Sequence, residues 1–69
     1  MSVSDHRYVN FSQDHELNRH LQNVQKRKTE KNRDTLRVMG DELKSELGKK
    51  MLTHEEFHPY VIDNMDRLD

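Results

Sequence analysis

The chain has no cysteine and no tryptophan, a single proline and only two glycines. Without cysteine it can form no disulfide to restrict its unfolded ensemble, and it has no thiolate for redox or metal chemistry. Aromatic residues make up 6% of the sequence. No apolar run approaches the ~20 residues a membrane-spanning helix needs. The opening MSVSDHRYVNFS does not follow the order of a secretory leader, a basic stretch and then an apolar one. A cytoplasmic protein with no membrane segment is expected. Charge of one sign is also missing: the net charge is −1, although 36% of the residues are charged. That near-zero balance weighs against disorder, whereas a mean hydropathy of −1.23 and 30% hydrophobic residues lean toward it and allow only a modest core. At 69 residues there is room for one small domain, so self-association or a protein partner is expected to supplement its burial.

What is present is helical periodicity. Ser12 can cap a helix, Asp14 and Glu16 sit in its first turn, and Leu17, Leu21 and Val24 recur at helical spacing. Eleven residues without a large apolar side chain follow, QKRKTEKNRDT, before Leu36, Met39, Leu43 and Leu47 resume the stripe. At 100° per residue the second stripe lies ~80° around from the first, so a single rod would have no common seam. A break near residues 29–32 is expected, with Thr29 or Asn32 capping the second helix. Gly48 is placed to end that helix in the left-handed conformation, and Gly40, in mid-helix, suits close approach by a neighbouring element. Phe57, Val61, Met65 and Leu68 form a third stripe, flanked by Tyr60 and Ile62 and running almost to the last residue.

The third helix begins at THEEFHPY. Thr53 and Glu56 have capping-box spacing, and Leu52 and Phe57 are placed to close a hydrophobic staple. The same stretch contains HEEFH, which is similar to the H-E-x-x-H motif of zinc peptidases. That resemblance, confined to these five residues, implies His54 and His58 as zinc ligands and Glu55 as a general base. Peptidases carry the motif in mid-helix with a third ligand and a substrate cleft. Here it occupies a first turn and is followed at once by Pro59, so it is read as a helix start. His54 and His58 are kept as a weak metal-binding pair. His6, His15 and His20 read as surface histidines because no two of them share a helical face. No phosphate loop, nucleophile–base pair or apolar carboxylate pair is present, so neither an enzyme nor a cofactor is expected.

Charge is unevenly placed. Lys26, Arg27, Lys28, Lys31, Arg33 and Arg37 against Glu30 and Asp34 leave residues 25–37 at +4, whereas residues 38–69 stand at −4. A basic corner of this kind can meet phosphate or an acidic partner. The order of a short strand (RYVNF) and two helices is similar to the ribbon-helix-helix repressors. That resemblance implies that Tyr8 and Asn10 face DNA.

These readings predict an all-α, three-helix domain with helices near 13–28, 32–47 and 54–67, preceded by a flexible or strand-like segment over residues 1–12. The expected function is a non-enzymatic interaction or regulatory module that binds a protein, with Val38, Tyr60 and Ile62 as contact residues. The alternative is a small nucleic-acid-binding regulator using Lys26, Arg27, Lys28, Lys31 and Arg33.

Overall fold

The computed structural model describes residues 7–69 and contains three α-helices: α1 (Asp14–Asn23), α2 (Glu30–Leu47) and α3 (His54–Asp63), followed by a 3₁₀ turn at Met65–Arg67. Residues 1–6, with His6 and the first half of the expected N-terminal segment, lie outside the described residues. α2 packs against both other helices. Arg33 and Arg37 of α2 reach Asn18 and Asp14 of α1, and Tyr60 of α3 reaches Glu42 of α2. The chain therefore reverses at each connection, and α1 and α3 run side by side in the same direction. The Cα radius of gyration is 11.5 Å. Compact chains of this length scale to about 11 Å.

The break between the first two helices falls earlier than the spacing predicts, ending α1 at Asn23 rather than near 28. Gln25 takes φ 59°, the left-handed conformation, and its amide donates to the Gln22 carbonyl while the Lys26 amide reaches back to Leu21 at 2.9 Å. This is the helix stop usually built on glycine, here carried by glutamine, which is why no glycine marks it. A left-handed L-residue costs roughly 1–2 kcal/mol. Gln25→Gly is accordingly expected to raise stability by about 0.5–1 kcal/mol after the entropy glycine adds to the unfolded chain, read as an upward shift of the urea midpoint at constant m.

The remaining boundaries have local causes. Thr29 caps α2, its hydroxyl accepting from the Asn32 amide at 3.2 Å, and Gly48 ends it at φ 66°. Ser12 does not cap α1. Its hydroxyl donates to the Asn10 side chain at 2.6 Å, and Gln13 stands at the cap position without a side-chain bond. At α3 the capping box is complete: the Thr53 hydroxyl accepts from the Glu56 amide at 3.1 Å, and the Glu56 carboxylate accepts from the Thr53 amide at 3.0 Å. Leu52 and Phe57, the expected staple, are both fully buried. α3 ends at Asp63 rather than running to 67. The Asn64 side-chain amide donates to the Tyr60 carbonyl at 2.8 Å. That carbonyl is the acceptor a continuing helix would give to the Asn64 backbone, so the side chain competes with the next turn.

The core consists of Val9, Leu17, Leu21, Val24, Leu36, Met39, Leu43, Leu52, Phe57, Val61 and Leu68, with Phe11, Tyr60 and Met65 packed against it. The N-terminal segment reaches it through one antiparallel bridge, Tyr8 to Thr53, with the Val9 amide donating to Leu52 at 2.8 Å. Phe11 covers Gly40 so closely that a Cβ there would stand 2.5 Å from its ring, so the close approach is by a side chain of the N-terminal segment and not by a helix. Leu47, expected in the α2 stripe, is 46% exposed. α2 has 18 residues and α1 only 10, and Asp14 at the start of α1 pairs with Arg37, so α1 does not extend along the last turns of α2.

Candidate functional site

The sequence places two histidines on the first turns of α3, and the fold brings a third to them. His20, expected at the surface, is 3% exposed. It lies three residues after Leu17 and four before Val24, which puts it on the apolar stripe of α1 itself; that phase was the available signal. Its Nε2 stands 2.9 Å from Nδ1 of His54. The Phe57 ring packs on it edge to face, with ring centres 5.2 Å apart and planes at 79°, and the His58 ring centre is 6.5 Å away. Burial foremost, and then the neighbouring His54 and His58, lower the His20 pKa from 6.5 to about 4, with Glu16 opposing.

The geometry of the pair decides between a shared proton and a shared metal. The His20 and His54 rings are 13° from parallel with centres 5.1 Å apart. That separation matches the nitrogen–nitrogen contact plus the two ring radii, so the rings meet edge to edge along one line. Two imidazoles on a tetrahedral ion would instead aim their lone pairs at a third point ~2.0–2.1 Å from each. Among the described residues no three histidine, aspartate or glutamate side chains are grouped to hold a metal ion. The surroundings also select the tautomer. Glu16 stands 3.8 Å from Nε2 of His54, which favours a proton on that nitrogen and leaves His54 Nδ1 bare. His20 then donates from Nε2, and its buried Nδ1, which has no partner, is a lone pair rather than a stranded N–H.

These rings lie at one end of a cleft between α1 and α3. One hollow of about 370 Å³ is lined by Arg19, His20, Asn23, His54, Glu55 and His58. Asn23 and His58 also border a second hollow of about 310 Å³, completed by Val24, Gln25, Ile62 and Met65. The cleft therefore runs from a histidine-rich end to one bordered by Val24, Ile62 and Met65.

The other residues singled out in the sequence are dispersed. Ile62, 48% exposed, borders the apolar end of the cleft. Val38 is 50% exposed. It lies two residues beyond the fully buried Leu36 and so on the opposite, outer face of α2, where Asp34, Asp41 and Glu42 are its neighbours one helical turn away. Tyr60 is half-buried and donates its hydroxyl to Glu42 at 2.9 Å, where Arg67 also binds. Arg67 and then Tyr60 hold the Glu42 carboxyl below its usual range. The basic stretch divides. Arg33 is half-buried against Glu30, Asp14 and Asn18, and Lys31 pairs with Asp69 at 3.2 Å. Lys26, Arg27 and Lys28 lie in the connection between α1 and α2, where their side chains make no ion pair among the described residues. Two exposed apolar residues, Leu47 and Met51, stand at the turn between α2 and α3 and were not among the expected contacts.

Comparison with protein-family models, with curated proteins and with solved structures finds no match to this chain. No helix of the described residues is long and apolar enough to cross a membrane.

Proposed function

We propose that this chain acts without catalysis, by binding another protein in the cleft between α1 and α3. The observation that carries this reading is the apolar end of the cleft, where Ile62 stands half-exposed beside Val24, Met65 and His58. A groove between two helices with an apolar floor and polar rims suits one or two hydrophobic side chains of a partner segment, whose burial supplies the affinity. The rims bear Arg19 on α1 and Glu55 on α3, one charge of each sign, which suits a partner that is itself mixed in charge. The basic corner supports a nucleic-acid reading less well, because Arg33 and Lys31 are committed to acidic side chains of the same chain.

Ile62→Arg tests the proposal, with Val38→Arg as the control for a comparable change elsewhere on the surface. Both variants should melt within a few degrees of the parent. Immobilised parent and Val38→Arg are expected to retain the same proteins from a cell extract at near-physiological salt. Ile62→Arg should retain them at least tenfold less, a loss of ~1.4 kcal/mol. Equal retention by Ile62→Arg would remove the cleft from consideration. Retention that falls steeply with salt and with Lys26→Glu and Lys28→Glu would instead assign binding to the corner.

A further inference from the structure

Among the described residues the contact between His20 and His54 is the one hydrogen bond joining α1 to α3, and both rings line the histidine-rich end of the cleft. Glu16 of α1 stands further off, 3.8 Å from the outer nitrogen of His54. Each of these helices is otherwise tied by polar groups to α2 or to the N-terminal segment: Asp14 and Asn18 to Arg37 and Arg33, Tyr60 to Glu42, and Thr53 to Tyr8. The histidine pair is therefore a close polar fastening between two elements that have their other anchors elsewhere.

The fastening depends on one bare nitrogen. With both rings neutral, one facing nitrogen carries a proton and the other a lone pair, and the 2.9 Å contact is a hydrogen bond. With both rings protonated, an N–H faces an N–H along the same line, and two positive charges meet beside the apolar Phe57 ring. No third group takes up the displaced proton on the buried side, where His20 Nδ1 has no partner.

We infer that the His20–His54 contact is a proton-operated latch. It holds α1 to α3 with His20 neutral, and acid opens the cleft because the open arrangement exposes His20 and lets it take up a proton that the closed contact has no place for. The groups that set its response come from each packed element. On α1, Glu16 favours the charged form of His20 and Arg19 opposes it; Glu16 also faces His54. On α3, His54 and His58 oppose it, with Glu55 at the rim. Arg7 of the N-terminal segment lines a hollow with His54, and the Asn10 amide occupies Glu16 at 2.9 Å. The α2 residues buried in the core, Asn32, Leu36, Met39, Gly40 and Leu43, are uncharged.

The sign follows from burial. The folded state holds His20 neutral to about pH 4, whereas the unfolded chain takes up that proton near pH 6.5, so the folded state loses stability as pH falls through this window. Between pH 7.5 and pH 5 this one group should lower the folding equilibrium about 30-fold, which corresponds to a fall in melting temperature of about 10 °C in a domain of this size. Carboxylates titrate mostly below pH 5 and contribute equally to variants that leave them in place.

The experiment compares thermal melts, followed by circular dichroism at pH 7.5 and pH 5, for the parent and His20→Phe. The phenylalanine keeps an aromatic body against Phe57 and removes the titrating nitrogens. The parent should lose about 10 °C and the variant less than a third of that; an equal loss would overturn the inference. His54→Ala provides a second arm, because it removes the latch partner from a partly exposed position and leaves the buried ring. At pH 7.5 its α1 amides over residues 17–23 should exchange at least tenfold faster than in the parent, with α2 amides over 36–43 unchanged. Uniform acceleration in both helices, or none in α1, would equally overturn it.

Discussion

Phe57→Ala is expected to leave the chain without cooperative structure at room temperature. Phe57 is the largest of the fully buried side chains, at 0% exposure, and from α3 it meets rings of both the N-terminal segment and α1. The Phe11 ring meets it edge to face at 5.1 Å and 82°, and His20 meets it at 5.2 Å and 79°. It therefore supports both the N-terminal segment and α1 from its place on α3. Removing a buried phenylalanine side chain costs ~3–5 kcal/mol. A domain of this length holds only about 3–10 kcal/mol in total, so the loss is comparable to the whole. Circular dichroism should show helical signal reduced and a sigmoidal melt replaced by a gradual slope. Phe57→Leu, which keeps most of the volume, should retain a cooperative transition at lower temperature. A Phe57→Ala protein melting within a few degrees of the parent would mean that the core is not organised around this ring.

The second large effect is expected at Asn32, a buried polar residue at 1% exposure. Its side-chain amide donates to the Arg27 carbonyl at 2.8 Å and its oxygen accepts from the Asp69 amide at 2.9 Å. One side chain thus secures the connection before α2 and the last residue after the 3₁₀ turn, which also seats Leu68 in the core. Asn32→Asp conserves shape and the bond to Asp69 but replaces the donor by a second acceptor facing the Arg27 carbonyl. The unmade bond and the buried charge should together cost about 3 kcal/mol or more near neutral pH. The cost should shrink on acidification, since a protonated aspartate regains a donor: burial raises the folded-state pKa, so this variant's deficit grows as pH rises. That trend is opposite in sign to the effect of His20. Urea midpoints for parent and variant at pH 7 and pH 4.5 measure both claims, and a deficit that did not change with pH would show that the carboxyl escapes to solvent.

Much of the fold was legible in the residues because the signals involved are local. Thr53 and Glu56 three residues apart can satisfy each other's amides whatever surrounds them, and they do. Gly48 takes the left-handed residue after α2 because it has no side chain to resist it. The apolar repeats of Leu17, Leu21, Val24, Leu36, Met39, Leu43, Phe57 and Val61 are all buried, as a helix of about 3.6 residues per turn with one dry face requires. Gln25 was not legible, since a left-handed glutamine is held by two backbone hydrogen bonds that no side-chain pattern announces. Asn64 resembles other polar residues until its amide is seen to take the carbonyl that would have continued α3.

The candidate site was only half legible. His54 and His58 drew attention by their spacing, and HEEFH does open α3, as its capping residues imply. The partner of His54 lies 34 residues away on another helix. Only the tertiary packing of α1 beside α3 could bring His20 to it, bury that ring against Phe57 and turn two ordinary histidines into one hydrogen-bonded pair. The same holds for exposure: Val38, Leu47 and Ile62 are alike in composition, yet the separation of Ile62 at a cleft from Val38 on an outer face depends on which helix lies beside which. The sequence by itself determined where helices start and which faces are dry, because those depend on neighbours within one turn. Only the three-dimensional arrangement decided which residues meet across the gaps, because burial and long-range contact are properties of the assembled chain.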